Sequence, residues 1–199
     1  MNLSEKIAIV RKARRYTQEE LGDKVGVSRQ TVSSWEKGDY EPTLDNIRAI
    51  VEVLNVSFDT LLNDKVDLND IDVSKITDMS SLFDGTDFNG DISNWDVSNV
   101  TDMNHMFYKC KLFNSDISQW NVSKVTNMRY MFANCTAFNQ DISKWNVSNV
   151  TNMNCMFYKC ESFNQDISTW DVSNVENMYG TFYRCKKFNQ DISTWDVSN

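Results

Sequence analysis

The sequence predicts two unlike domains: an all-α domain in residues 1–64 and a solenoid with short parallel strands in residues 71–199, joined by a linker at residues 65–70. Two observations support this prediction. The N-terminal part has apolar residues at helical spacing. The C-terminal part repeats a 25-residue unit, and a fixed period of this length is typical of coils that each bury a face against their neighbours. The unit places Trp at 95, 120, 145, 170 and 195 and Phe at 88, 113, 138, 163 and 188.

The composition indicates a folded chain that does not enter a membrane. Hydrophobic residues make up 41% of the 199 residues, with one Pro and six Gly, which argues against disorder. No segment approaches the roughly 18 apolar residues that a bilayer span requires. Residues 1–10 lack the basic and then apolar pattern of a secretion signal. We therefore expect a cytoplasmic protein.

The charge distribution leaves DNA binding open for the first domain only. The net charge of −8 disfavours indiscriminate binding to nucleic acid, because phosphates favour clustered Lys and Arg. Within the first domain, however, acidic residues dominate from Asp39 to Asp64, whereas basic residues cluster before Gly38. The clustered basic residues are Arg11, Lys12, Arg14, Arg15, Lys24, Arg29 and Lys37.

The first two helices of the all-α domain follow from spacing and capping. The second helix is predicted from Gln18 to about Val25, because Thr17 and Glu20 form a capping box. Gly26 then ends that helix. The first helix is predicted to begin near Ser4 and to end near Arg15. Its apolar residues at three- and four-residue spacing are Leu3, Ile7, Val10 and Ala13.

Three more helices complete the predicted five. Ser28 caps a third helix that runs to about Lys37 and is ended by Gly38. The segment at residues 42–45 starts a fourth helix, since Pro is favoured in a first turn. Ser57 begins a short fifth helix. The fifth helix passes through Phe58, Leu61 and Leu62. The residues that we expect to be buried in the third and fourth helices are Val32, Trp35, Leu44, Ile47, Ile50, Val51 and Leu54.

Residues 17–57, TQEELGDKVGVSRQTVSSWEKGDYEPTLDNIRAIVEVLNVS, resemble the Cro/repressor-type helix-turn-helix of the xenobiotic-response-element regulator family. The resemblance covers nearly all of residues 3–62 and implies a five-helix domain that binds double-stranded DNA. In such a domain a short turn sets two helices at a steep angle, so that the second helix enters the major groove. The residues that carry the resemblance are Gln18, Leu21, Gly26, Val27, Ser28, Val32, Trp35, Glu36, Gly38 and Pro42.

The resemblance also implies roles for individual side chains. Arg29, Gln30 and Ser34 match the base-reading positions of the recognition helix, and Thr31 and Ser33 lie beside them as base or phosphate contacts. Arg can donate two hydrogen bonds to guanine, and Gln can pair with adenine. The phosphate contacts that we expect are Gln18, which matches the family position at the start of the second helix, and the flanking Lys37 and Arg15.

Other prominent side chains of the first domain favour structural interpretations. Trp35 shares a helix face with Val32, so we expect it to pack in the core rather than stack on a base. Glu36 matches the family acid that pairs with an arginine of the first helix, here Arg11, and we expect a structural ion pair. The charges of Lys12, Arg14 and Lys24 are expected to form a solvated face that raises the local potential.

Within the repeat, the segment Asp-Ile-Ser-x-Trp alternates as a short strand does, and Met-Phe-Tyr-Lys-Cys predicts a helical turn. A strand with a short return in about 25 residues suits a leucine-rich-repeat-like solenoid. The units resemble BspA-like leucine-rich repeats over roughly residues 71–199. A degenerate unit from Ile71 is expected to cap the array. Full copies begin at Phe88, Phe113, Phe138 and Phe163.

Polar and sulfur-bearing residues recur in columns through the repeat. We expect the Cys column to be buried and reduced rather than zinc-binding, because His105 is the only histidine and no CxxC pair occurs. The Asp column repeats a carboxylate in each coil, and capping of backbone N–H groups, solvent exposure and calcium binding all remain open. These columns are Cys110, Cys135, Cys160 and Cys185, and Asp91, Asp116, Asp141, Asp166 and Asp191.

Two further columns complete the repeat. An Asn column, which includes Asn89 and Asn114, is expected to form a hydrogen-bonded ladder. Tyr108, Tyr158 and Tyr183 each precede a basic residue, and this column is open to two interpretations, a partner-binding surface or a solvated rim.

Together these features predict a sequence-specific DNA-binding transcriptional regulator, in which the solenoid binds a protein partner or mediates assembly and the chain forms a homodimer. The alternative is an interaction scaffold in which the solenoid carries the main activity and DNA binding is weak or absent. A surface adhesin is disfavoured by the missing export signal. Catalytic residues at suitable spacing are not found, so we do not expect an enzyme. The sequence predicts no cofactor and no metal centre.

Overall fold

The computed structural model describes residues 2–62, 68–69 and 71–198, and it divides the chain into two compact units, Met1–Ile71 and Asp72–Asn199. Most of the predicted linker, residues 65–67 and 70, lies outside the described residues. Leu68, within the predicted linker, is fully buried. No helix in the described part of the chain is long and apolar enough to cross a bilayer.

The N-terminal unit is all-α, as predicted, with helices α1 Leu3–Ala13, α2 Gln18–Val25, α3 Arg29–Lys37, α4 Leu44–Leu54 and α5 Phe58–Leu62. The first helix differs from the prediction at both ends. Asn2 rather than Ser4 caps it, through a capping box with Glu5. The helix ends before Arg14, because Arg15 adopts a left-handed backbone conformation with a φ of 59°.

The other helix boundaries follow from their caps. Thr17 accepts a hydrogen bond from the backbone N–H of Glu20, whose carboxylate accepts one from the backbone N–H of Thr17, at 3.1 and 2.7 Å. Gly26 and Gly38 end α2 and α3 in the left-handed conformation, each with a φ of 76°. Asn55 caps α4 in the same conformation.

The core of the N-terminal unit matches the expected apolar residues, with two corrections. Leu44 and Val51 were expected to be buried, but the side chain of Leu44 is 56% exposed and that of Val51 is half-buried. Leu44 stands at the first position of α4, where neighbours pack from one direction only. The side chain of Phe58 lies outside the described residues. The buried residues of this core include Ile7, Val10, Ala13, Leu21, Val32, Trp35, Ile47, Ile50, Leu54 and Leu61.

The C-terminal unit consists of coils that stack in a 25-residue register, but the predicted short parallel strands are wrong for the described residues, which contain no extended strand. The segment predicted as a strand forms a turn instead, in which the backbone N–H of Trp120 bonds to the carbonyl of Ile117 at 3.2 Å. Neighbouring coils pair through backbone hydrogen bonds, such as those from Met103 to Asn127 and from Phe107 to Met131, each 2.9 Å, and through isolated parallel bridges. These link Asp78, Asp102, Asn127, Asn152 and Asn177 in succession.

Three side-chain-capped turns per coil explain why strands do not extend. Asp91, Asp96 and Asp102 each accept a hydrogen bond from the backbone N–H two residues later, at 2.9, 3.0 and 2.7 Å. The following coils repeat this pattern with Asp or Asn, for example at Asp141 and Asn146. Such turns redirect the chain after a few residues, so that no strand extends within the described residues, although backbone hydrogen bonds continue from coil to coil.

The Asp column therefore caps turns, as one of the open interpretations stated. The hydrogen bonds from Ser143 hold the pKa of Asp141 below its usual value, and those from Ser168 do the same for Asp166. Among the residues that the structure describes, no group of three or more His, Cys, Asp or Glu side chains is arranged to hold a metal ion.

Columns of hydrogen bonds connect the coils, an exposed one through Asn side chains and buried ones through Cys and Trp. The Asn column forms the expected ladder, in which the backbone N–H of Asn114 donates to the side chain of Asn89 at 2.8 Å. The Cys thiols are reduced, and that of Cys135 donates to the carbonyl of Phe107 at 2.9 Å. The indole N–H of Trp145 donates to the carbonyl of Ile117 at 3.1 Å. Each coil thus satisfies its buried polar groups with the coil before it.

Candidate nucleic-acid interface

The turn between α2 and α3 depends on a close approach at Gly22. A Cβ atom at this position would lie 2.7 Å from the carbonyl oxygen of Val27, which is closer than real Cβ contacts come. The backbone N–H of Val27 donates to the carbonyl of Gly22 at 2.9 Å. Gly26 supplies the left-handed residue between the two helices. Glycine at position 22 therefore lets α3 begin against the backbone of α2.

The third helix has one buried face and one polar face. Val32 and Trp35 are fully buried and hold α3 in the core. Arg29 and Gln30, at its N-terminal end, are exposed. The other residues expected to contact bases, Thr31, Ser33 and Ser34, are half-buried. The expected site residues of α3 thus separate into two exposed side chains and three at the edge of the helix face.

Thr31 also takes part in the cap of α3. Its backbone N–H donates to the side-chain oxygen of Ser28 at 3.1 Å, and the two hydroxyl groups lie 3.0 Å apart. The Thr31 hydroxyl is therefore engaged at the start of the helix, whereas Arg29 and Gln30 extend from the same turn into solvent.

A cluster of three side chains joins the start of α2 to the end of α3. Glu36 accepts hydrogen bonds from Arg11 at 2.5 and 3.0 Å and from the Gln18 side chain at 2.8 Å. Arg11 also donates to the carbonyl of Tyr16 at 2.6 Å. Because Arg11 and Glu36 are largely buried, each charge depends on the other for stabilisation.

Gln18 thus stands where the phosphate-binding prediction placed it, at the first position of α2, but its side-chain amide is bound to Glu36. The first backbone N–H groups of a helix have no acceptor within that helix. The backbone N–H groups of Gln18 and Glu19 are therefore the donors that the start of α2 can offer to a phosphate. Lys37, at the end of α3, and Arg15, after α1, are both exposed.

Arg14 differs from its expected role as a solvated charge. Its guanidinium donates to the carbonyls of Leu54 and Asn55, at 3.0 and 3.1 Å. These carbonyls end α4, where a cation is favourable. Sequence patterns did not single out Gly22 or this role of Arg14. A Gly within a predicted helix was the only signal that could have drawn attention to position 22.

Comparison with known proteins separates the chain in the same way. Residues 7–61 match the family described as helix-turn-helix. Residues 52–150 and 119–199 match the family described as "Mycoplasma protein of unknown function, DUF285", and these matches together extend over more than half of the chain. The chain belongs to the DUF285 family. Its N-terminal unit is a helix-turn-helix domain of the Cro/CI type.

Two curated relatives each match about a third of this chain. One is the HTH-type transcriptional activator BcrR of Enterococcus faecalis, 33% identical over 32% of this chain and 31% of that protein. Another is the cryptic phage CTXphi transcriptional repressor RstR of Vibrio cholerae, 34% identical over 31% of this chain and 54% of that protein. The chain thus spans about a third to a half of the length of these relatives.

Among solved structures, the P22 c2 repressor in complex with a synthetic operator is 36% identical. The similarity covers 34% of this chain and 98% of the repressor chain, with a TM-score of 0.31.

Proposed function

We propose that this DUF285-family chain is a sequence-specific DNA-binding transcriptional regulator that inserts α3 into the major groove. The observation that carries the proposal is the exposed pair of Arg29 and Gln30 at the N-terminal end of a helix whose opposite face is buried through Trp35. Recognition helices of this fold contact base edges with their N-terminal residues. The curated relatives are named as transcriptional regulators, which agrees with this role.

Arg29 and Gln30 are proposed to determine sequence preference. A guanidinium can donate two parallel hydrogen bonds to guanine, and a carboxamide can donate and accept one each with adenine. Ser34 is proposed as a further base contact, and Thr31 and Ser33 as base or phosphate contacts. Since the hydroxyl of Thr31 already joins the cap of α3, its methyl group is the part best suited to a base contact, such as a thymine methyl.

Phosphate contacts are proposed to position α3 in the groove. At the start of α2, the N–H groups of the first turn would bind a phosphate, with Gln18 held in place by Glu36. Lys37 and Arg15 would add positive charge on either side. These contacts set the register of the protein on DNA and carry no sequence information of their own.

The rest of the chain is proposed to support this activity. The expected form is a homodimer with half-sites about 34 Å apart on one face of the duplex. The repeat unit, proposed to be a leucine-rich-repeat-like solenoid of the BspA-like type, would bind a protein partner or mediate assembly. The proposal also includes the domain bounds. Residues 1–64 would form a domain of the xenobiotic-response-element family, and residues 71–199 would form the repeat domain.

The deciding experiment selects bound sequences from random duplex DNA with the full chain, and then measures the affinity of variants for the selected site. Arg29→Ala and Gln30→Ala are each expected to lose about 1–3 kcal/mol of specific binding and to relax the preference at one base pair. Arg48→Ala is the matched control, because Arg48 is an exposed arginine on α4 whose one ion pair among the described residues is with Asp45. Log affinity should fall linearly with log salt concentration.

Equal losses for Arg29→Ala and Arg48→Ala would contradict base reading by Arg29, since both remove one positive charge. The absence of any enriched sequence would favour the second candidate, a protein-interaction scaffold. That candidate is favoured by the exposed Tyr179 and Tyr183 of the repeat unit, which are 80% and 52% accessible and suit a binding surface. A partner captured by the full chain and lost with Tyr179→Ala, together with absent operator binding, would support it.

A further inference from the structure

The repeat unit contains a cavity that the DNA-binding proposal does not use. It has a volume of about 460 Å³ and is lined by Cys155, Tyr158, Tyr179, Gly180 and Tyr183. This volume lies within the range of small-molecule sites, which are concave, mostly apolar and served by a few polar groups. Two of the lining tyrosines are partly exposed, so the cavity is accessible from solvent.

The cavity arises because one column of the repeat loses its side chains along the array. Successive coils carry His105, Tyr130, Cys155 and Gly180 at the same position. All four have left-handed backbone conformations, with φ of 57°, 55°, 53° and 67°. Since the backbone is the same with or without a large side chain, conformation does not require the small residues. Their effect is to leave part of the space that aromatic rings fill in the earlier coils, although the Sγ of Cys155 lies 3.0 Å from the position that a Cβ of residue 180 would occupy.

In the earlier coils of this column, side chains occupy the corresponding space and show which group fits there. The ring of Tyr130 stacks on His105 at a centroid distance of 4.8 Å and lies edge-on to Tyr108 at 5.9 Å. The guanidinium of Arg129 covers the Tyr130 ring at 5.1 Å. A planar aromatic ring is therefore the group that the repeat itself places between these walls.

The walls of the cavity correspond to those around Tyr130. Tyr158 and Tyr183 stand in the column of Tyr108 and stack on each other at 5.3 Å. Tyr179 precedes Gly180 as Arg129 precedes Tyr130, so a ring placed beside Gly180 would have an aromatic cover where Tyr130 has a guanidinium. Edge-to-face and offset contacts of this kind stabilise a ring pair beyond the effect of the area buried.

Two basic side chains lie over rings that line the cavity, and they determine the second feature of the ligand. The ammonium of Lys159 lies 5.3 Å from the centre of the Tyr158 ring, and the guanidinium of Arg184 lies 5.4 Å from that of Tyr183. The lining residues include no carboxylate. A cationic ligand would meet two positive charges there, whereas an anionic group would find two partners.

We propose that this cavity binds a small planar aromatic acid, with its ring against the tyrosines Tyr158, Tyr179 and Tyr183 that line it and its anionic group directed to Lys159 and Arg184. The Tyr-plus-base column would then be a ligand site at this end of the array. The binding assay uses no DNA, so its outcome is independent of the proposal for α3.

The test titrates the full-length protein with 2-naphthoate by calorimetry and by ligand-observed NMR. Two comparison ligands separate the ring from the charge: cyclohexanecarboxylate keeps the acid without an aromatic ring, and 2-naphthylmethylammonium keeps the ring with the opposite charge. We expect 2-naphthoate to bind at least tenfold more tightly than either. Higher salt should weaken its binding, because the rim charges are solvent-accessible.

Variants taken from the repeat itself provide matched controls. Tyr183→Ala copies Ala133, the residue of an earlier coil at the same position, and should weaken 2-naphthoate binding at least tenfold. Cys155→Tyr copies Tyr130, should fill the cavity and should abolish binding. Tyr108→Ala removes the same side chain from a coil outside the cavity and should change the affinity less than twofold. Unchanged circular dichroism confirms that each variant is folded.

Four results would overturn the proposal. The first is no binding of 2-naphthoate to the folded wild-type protein at millimolar concentration. The second is equal or tighter binding of the cationic or non-aromatic ligand, which would exclude the stated chemistry. The third is an equal loss with Tyr108→Ala and Tyr183→Ala, which would place binding elsewhere. Binding of an aromatic peptide side chain without any binding of the free acid would likewise overturn it in favour of a protein partner.

Discussion

Replacement of Gly22 by alanine tests whether the start of α3 depends on close backbone contact with α2. The added methyl group would lie 2.7 Å from the carbonyl oxygen of Val27 and 3.2 and 3.3 Å from backbone atoms of Ser28 and Arg29. These neighbours are backbone atoms rather than the ends of flexible side chains, so the turn itself must move. The displaced segment is the one that carries Arg29 and Gln30.

The magnitude follows from two opposing effects. Overpacking of a well-packed site costs about 1–3 kcal/mol, whereas alanine is favoured over glycine within a helix by about 1 kcal/mol. Because a contact of 2.7 Å is far inside normal approach, we expect the upper part of the packing cost and a net loss of about 1–2 kcal/mol for Gly22→Ala. Specific DNA affinity should fall as well, since small displacements misalign hydrogen bonds to base edges.

Urea unfolding followed at 222 nm measures this loss, because the α-helices of the described residues all lie in the N-terminal unit. Gly26→Asn is the matched control. Gly26 has open space around its Cα, and Asn adopts the required left-handed conformation at Asn55 of this same protein. The control should retain DNA affinity. If Gly22→Ala left both the unfolding free energy and the DNA affinity unchanged, the proposed role of the close approach would be wrong.

Three further predictions concern buried and capping groups. Trp35→Phe should cost about 1 kcal/mol or less in urea unfolding, far below the roughly 3–5 kcal/mol of a Trp→Ala change, because the buried indole N–H has no hydrogen-bond partner among the described residues; a loss as large as that of Trp35→Ala would reveal a missing partner. Ser173 holds the pKa of Asp171 below 3.8, so the stabilisation from this cap is present above that value and is lost as the pH falls through the lower folded pKa. Asp171→Asn, which copies Asn146, should therefore flatten the acid limb of thermal stability, and an unchanged limb would contradict this. Burial raises the pKa of Cys110 to about 12, so iodoacetamide at pH 8 should label this thiol only after the protein unfolds. Mass spectrometry of the peptide that contains Cys110 measures the labelling, and rapid labelling of the native protein would count against the buried thiol column.

Local sequence was sufficient to predict most of the N-terminal unit. The caps at Thr17 and Ser28 and the left-handed Gly26 and Gly38 mark helix ends, because each involves residues within four positions of one another. The start of the first helix was predicted wrongly for a related reason. Asn2 and Ser4 can both cap a helix, and the box with Glu5 favoured Asn2.

For the repeat, the sequence predicted which positions are buried but did not predict the backbone conformation. A fixed period identified the buried Phe, Trp and Cys positions, because every coil must fill the same volume in the stack. The same alternation of apolar and polar residues also suggested strands. The turns capped by residues such as Asp91 and Asp96 take precedence over that alternation, and their side-chain hydrogen bonds compete directly with ladder pairing.

The sequence by itself determined the helices, their caps and the period of the repeat, since these depend on neighbours along the chain and on residue volume. Only the tertiary structure decided the close approach at Gly22, the shared acceptor Glu36 and the cavity beside Gly180. Each of these depends on atoms from separate helices or coils, and sequence spacing does not specify the distances between such atoms.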